Sequence, residues 1–126
     1  MRVCKKFSFD SAHFLPGYDG KCKDLHGHQW TLEVEVEGKV GTFGMVMDFS
    51  YLKQVVNTKV ISRLDHRLLN EVVEVPTAEH ILLWIAEQLS QFGLVTDVHT
   101  TLTRLRLYET PDSFAELRMS GMQTSL

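Results

Sequence analysis

Hydrophobic and polar positions alternate at both ends of the chain and recur at helical spacing in its middle. Val3, Phe7, Phe9 and His13 share one parity, and Arg2, Lys6, Ser8 and Asp10 the other, which predicts a half-buried strand over residues 1 to 13. Pro16, Gly17, Asp19 and Gly20 are turn formers, so residues 14 to 25 read as a loop that returns the chain beside this strand. Residues 26 to 38 alternate again: His26, His28, Trp30, Leu32, Val34 and Val36 face one way, and Thr31, Glu33, Glu35 and Glu37 the other. A glycine-bearing turn follows. Asp48 is a plausible N-cap for a helix in which Leu52, Val55, Val56, Val60 and Leu64 recur at helical spacing. Asp65 to Asn70 reads as a loop. Val75-Pro76 delays the second helix, since a residue before proline disfavours the helical region. Thr77 can cap that helix, Glu79 suits its first turn, Ile81, Ile85, Leu89 and Phe92 form its buried stripe, and Gly93 ends it. Residues 98 to 109 are strand-like but change phase between Leu102 and Leu105, which predicts a bulge near Thr103 or Arg104. Pro111-Asp112 makes a turn into a last alternating stretch, 113 to 119, followed by a short tail.

The order strand, strand, helix, helix, strand, strand predicts an α+β fold in which two helices cover one face of a four-stranded antiparallel sheet, as one domain over residues 1 to 126. The other face carries Lys6, Glu33, Glu35, Glu37, Arg104, Arg106, Glu116 and Arg118, so it is wet or lines a polar lumen. Four strands do not close a barrel alone. The open edges favour self-assembly, and a homo-oligomer joined sheet edge to sheet edge is expected.

Composition changes this picture little. A formal charge of −3 gives no reason to expect nucleic acid as a partner, and no run is apolar enough to span a bilayer. The N-terminus leads directly into strand-like sequence without a secretory signal, and two cysteines, Cys4 and Cys22, make no disulfide framework; a reducing cytoplasm is the expected setting.

The candidate chemistry lies between Ser11 and Trp30. His26 and His28 are two residues apart on a strand and point to the same face; His13 can join them from the neighbouring strand. Three imidazoles suit zinc, and three protein ligands leave the open position of a catalytic site. The blander alternative is a His-Gly-His turn beside a core histidine. Cys22, in the loop, is equally suited by chemistry to act as a base activated by a nearby cation or to close the site as a fourth ligand; an inert thiol is a third reading. Asp65-His66 has the make-up of a carboxylate-oriented proton relay, provided a turn lets the adjacent side chains meet; otherwise it is a surface pair. His80 and His99 have no supporting feature. Glu109, at a strand end, could accept two parallel N–H donors of a 2-amino-4-oxo-pyrimidine edge, or stand solvated. Thr77 and Glu79 are weaker pocket candidates beside their helix-start role.

Ser-Ala-His at 11–13, Cys-Lys-Asp-Leu-His-Gly-His at 22–28, Leu-Asp-His-Arg at 64–67, Pro-Thr-Ala-Glu at 76–79 and Tyr-Glu-Thr at 108–110 together resemble the 6-pyruvoyl-tetrahydropterin synthase family, in order over nearly the whole chain. The resemblance implies the tunnelling fold, with sheets joined into the barrel of a hexamer or tetramer. It further implies Zn²⁺ on His13, His26 and His28, a pterin held by Glu109, Cys22 as proton acceptor, and Asp65 and His66 completing a relay. The three-residue gap between Cys22 and His26 is similar to that of bacterial 6-carboxy-tetrahydropterin synthases of the queuosine pathway; animal biopterin enzymes have a longer gap, and folate-pathway forms replace or supplement the cysteine with glutamate. The implied activity is conversion of 7,8-dihydroneopterin triphosphate to 6-carboxy-5,6,7,8-tetrahydropterin, acetaldehyde and triphosphate. Its alternatives are a pyruvoyl-type elimination of triphosphate alone and a non-catalytic pterin-binding oligomer with structural zinc.

Overall fold

The computed structural model describes residues 1–20, 24–91 and 100–119. Strands β1 (Arg2–His13) and β2 (His26–Gly38) pair antiparallel, with His13 opposite His26, Ser11 opposite His28 and Phe9 opposite Trp30. Strands β3 (Thr100–Thr110) and β4 (Ser113–Arg118) complete a four-stranded antiparallel sheet of order β1-β2-β3-β4. Between the strand pairs lie α1 (Phe49–Val56), a π-helical stretch (Asn57–Ile61), α2 (Ser62–Leu64), a short 3-10 turn (Leu69–Glu71) and α3 (Ala78–Gln91). The α+β architecture read from the hydrophobic pattern is therefore the observed one. Cys22, Phe92, Gly93 and His99 lie outside the described residues.

The alternation of β1 and β2 sorts side chains as a pleated strand requires. Phe9, Trp30, Leu32, Val34 and Val36 are buried against Leu52, Val56, Val60 and Leu64 of the first helical segment and Ile81, Ile85 and Leu89 of α3. Burying a large apolar side chain contributes roughly 1.5–3 kcal/mol, so this one face supplies most of the driving force. The bulge expected near Thr103 is present: Glu35 pairs with Arg104 and Val36 with Leu102, leaving Thr103 as the extra residue. It turns Leu102, Leu105 and Leu107 toward the helices despite their mixed parity.

Two expectations change and a third is narrowed. The first helix is not continuous. Leu52, Val56, Val60 and Leu64 are spaced by four, and in an α-helix each such step drifts by about 40°; the wider π turn over Asn57–Ile61 reduces that drift and keeps all four buried. The stretch read as loop after Asp65 is more ordered than expected. It lies along the outer edge of β1, where the Ala12 N–H donates to the Arg67 carbonyl, the His66 N–H to the Asp10 carbonyl, and Leu68 bridges Ala12. The polar sheet face is not simply wet: Arg104 and Glu33 are buried there, with Arg104 3.1 Å from both Glu33 and Glu35 and 3.6 Å from Glu116.

Candidate metal centre and clefts

His13, His26 and His28 converge at the end of the β1–β2 pair. The register that sets His13 opposite His26, and the two-residue step to His28, bring their ligand atoms within 4.8 Å of one another. His13 is buried, and Trp30 stands edge-on to His13 and His28 at 5.1 and 5.5 Å between ring centroids, so the apolar face of β2 becomes one wall of the site.

The hydrogen bonds fix which nitrogens face inward. His13 Nδ1 is 2.8 Å from the Pro76 carbonyl, and His26 Nδ1 is 2.6 Å from the Asp24 carbonyl. A carbonyl only accepts, so both Nδ1 atoms donate, and both Nε2 atoms are left with lone pairs. These two Nε2 atoms lie 3.1 Å apart. Unless one ring takes an extra proton, two lone pairs confront each other. The third, His28 Nε2, is buried without a hydrogen-bond partner. Ligand atoms of a tetrahedral zinc with bonds of about 2.0 Å stand roughly 3.3 Å apart. Two inward lone pairs, each on a ring held by a backbone carbonyl, and the unpartnered His28 Nε2 beside them make a donor set that fits such an ion. Burial pushes the His28 imidazole below its ordinary pKa, against the opposing pull of Glu109, and so favours the neutral ring that can bind metal.

Glu109 reaches this centre through a second bulge, one the sequence reading did not anticipate. Tyr108 pairs with Phe114 and Thr110 with Ser113, so Glu109 is unpaired in β3. The re-aimed side chain brings Oε1 to 3.6 Å from His28 Nε2.

Asp65 and His66 do meet. Asp65 ends α2 in an extended conformation and His66 adopts φ of 57°, the left-handed region that histidine enters more readily than most residues. Their side chains lie 3.0 Å apart, Asp65 Oδ2 to His66 Nδ1. Asp65 Oδ1 accepts from the Asp10 N–H at 2.9 Å; this bond, reinforced by His66, holds the carboxyl below its usual range. Asp10, Asp65 and His66 form the second group of side chains whose ligand atoms lie within 4.8 Å, and they are more exposed than the imidazole trio.

Thr77 and Glu79 are not brought to this centre by side-chain contact. Thr77 Oγ1 accepts from the His80 N–H at the start of α3, and Glu79 lines a separate groove between α3 and β4. His80 is exposed, with Nδ1 on the Val75 carbonyl. Cys4 lies on the polar face 3.7 Å from Arg104, and burial raises its pKa, which favours a protonated thiol. Sequence reasoning missed Asn70, whose side-chain oxygen accepts from the Phe14 N–H at 3.1 Å while its nitrogen donates to the Phe14 carbonyl at 2.9 Å, tying down the residue after His13.

Two clefts flank Gly27, His28 and Gln29. One, of about 620 Å³, runs past Tyr108 and Glu109 to Lys6; the other, of about 590 Å³, runs past Asp10 to His66 and Arg67.

Residues 2–120 match the family model described as 6-pyruvoyl tetrahydropterin synthase. The chain belongs to that family. It is 46% identical over 111 residues, 88% of this chain and 90% of the relative, to a putative 6-carboxy-5,6,7,8-tetrahydropterin synthase of Archaeoglobus fulgidus. It is 43% identical over 116 residues, 92% and 96% of the two chains, to a dihydroneopterin monophosphate aldolase of Pyrococcus furiosus. Its structure is similar to that of Caenorhabditis elegans 6-pyruvoyl tetrahydropterin synthase, with a TM-score of 0.81, 28% identity and 94% of each chain covered. The chain is thus a member of a family of pterin-binding enzymes. Among the described residues no helix is long and apolar enough to cross a membrane.

Proposed function

We propose that this protein is a zinc lyase, a 6-carboxytetrahydropterin synthase that converts 7,8-dihydroneopterin triphosphate and one water to 6-carboxy-5,6,7,8-tetrahydropterin, acetaldehyde and triphosphate on the route to queuosine. The observation that carries the reading is the pairing of the bare, buried Nε2 of His28 with the Glu109 carboxylate 3.6 Å away. One strand end thereby offers a metal position and an acceptor for the donor edge of a pterin ring.

Each residue then has a task. His13, His26 and His28 hold Zn²⁺, which when bound supplies Lewis-acid polarisation of the substrate's side-chain hydroxyls. Glu109 accepts two ring N–H donors and orients the pterin. Cys22 takes up the proton released as the ring shifts its double bond. The His66 Nδ1–H donates to Asp65, which leaves His66 Nε2 as the atom that passes protons on. Thr77 and Glu79 support the pocket only through the start of α3. The active form is an edge-joined homo-oligomer, a hexamer or tetramer built from this one tunnelling-fold domain. The outer edge of β4, and that of β1 before Asp10, have no strand partner among the described residues, which supports such an assembly.

The identity to the P. furiosus relative favours one second reading, aldol cleavage of dihydroneopterin monophosphate. The chemistries differ in what they release: acetaldehyde and triphosphate in the first, glycolaldehyde phosphate in the second. The test is incubation of zinc-loaded protein with each substrate and analysis of pterin and aldehyde products. Carboxylated pterin with equimolar acetaldehyde is expected. Glycolaldehyde phosphate from the monophosphate, with no carboxylated pterin from the triphosphate, would replace this reading by the second.

A further inference from the structure

We propose that Trp30 is a positioning residue of the metal centre: its indole holds the His28 ring in place, the task that backbone carbonyls perform for the other two rings. The proposal rests on the zinc reading above and holds whichever pterin phosphate is the substrate.

A ligating imidazole is ordinarily steadied by a hydrogen bond at its outer nitrogen. His13 has this support from the Pro76 carbonyl and His26 from the Asp24 carbonyl. His28 does not: among the described residues its Nδ1 has no hydrogen-bond partner. Glu109 cannot stand in, because it faces Nε2, the nitrogen that the ion would occupy. What His28 does touch is aromatic. The rings of His26, His13 and Trp30 lie around it at 4.7, 5.3 and 5.5 Å between centroids, each within 20° of perpendicular. His13 and His26 are themselves ligands, so Trp30 is the wall that the ion does not move.

A wall positions a neighbour only if it is fixed. Trp30 is fully buried. Phe9, its partner across the β1–β2 pair, lies parallel to it at 6.1 Å, and the indole Nε1–H donates to the Ser11 carbonyl at 3.3 Å. Trp30 also follows His28 by two residues on one strand, so both side chains stand on the same sheet face. A smaller apolar residue would keep that face dry but leave a void beside His28. The imidazole could then turn, and binding an ion would have to order it again.

The experiment uses wild type, Trp30→Leu, Trp30→Phe and, as a control for general loosening of the core, Val34→Ala, a fully buried position further along β2. Zinc affinity is measured by competition with a chelator, and imidazole mobility by ¹³C relaxation of histidine-labelled, metal-free protein. Trp30→Leu should weaken zinc roughly 10- to 100-fold, the usual effect of losing a supporting partner of a ligand. Trp30→Phe should fall between, and Val34→Ala should match wild type. In Trp30→Leu the His28 ring should gain mobility more than that of His26. Wild-type zinc affinity in folded Trp30→Leu, an equal loss in Val34→Ala, or equal loosening of His26 and His28 would overturn the proposal. If Trp30→Leu does not fold, wild-type affinity and His28 mobility in Trp30→Phe would overturn it. Failure of the zinc reading looks different: wild type itself would bind no zinc, whatever Trp30 does to the His28 ring.

Discussion

The three imidazoles are the proposed metal ligands, and the outer nitrogens of two of them are already committed. Carbonyls of Pro76 and Asp24 hold two rings in the tautomer that points a lone pair inward, and His28 is left bare by burial. Removing one ring should abolish tight binding: His28→Ala is expected to retain little zinc after dialysis, measured by elemental analysis. Cys22→Ala should behave oppositely, losing about 100- to 10,000-fold in turnover, as expected for a general base, while keeping its zinc. Zinc loss in Cys22→Ala would instead make the thiol a ligand. Asp65 gives a pH signature. Its folded pKa lies below the ordinary value of about 4, because Asp10 N–H and His66 bind the charged form. Its contribution to stability is therefore present above that ordinary value and lost as pH falls through the lower folded one. The urea midpoint of wild type should decline through this acid window more steeply than that of Asp65→Asn; parallel curves would contradict the linkage.

At the scale of elements, the site is placed by β1–β2 register and by devices at strand ends. The register was legible, because His26, His28 and Trp30 share parity with buried Leu32 and Val34, and His13 with Phe7 and Phe9. The Thr103 bulge was legible from the phase change among leucines. The Glu109 bulge was not: one extra residue beside a tight turn leaves no hydrophobic phase to read. The π stretch was equally hidden, since spacing by four also fits an ordinary helix over short windows. The carbonyl partners of His13 and His26 carry no side-chain signal at all. Asn70 belongs here too. Its paired bonds to Phe14 imitate a strand bridge and fasten the chain just after His13. Asn70→Ala leaves both Phe14 groups unsatisfied and should cost about 1–3 kcal/mol in chemical denaturation, with weaker zinc binding in titrations on the folded variant.

For the whole molecule, one sheet face is fully spent on packing the helices and the other on ion pairs centred on Arg104. Among the described residues the outer edge of β4 and that of β1 before Asp10 have no strand partner, and in the proposed assembly these edges join. Equilibrium sedimentation should give a multiple of the 14.4 kDa chain; a species of that mass alone would argue against an edge-joined barrel. The proposed metal centre is the part on which the proposed function turns, and zinc K-edge X-ray absorption of the loaded protein tests it most directly. Three imidazole nitrogens and one further light atom at about 2.0–2.1 Å are expected. A sulfur shell at about 2.3 Å, or the absence of imidazole scattering, would contradict an open site held by His13, His26 and His28.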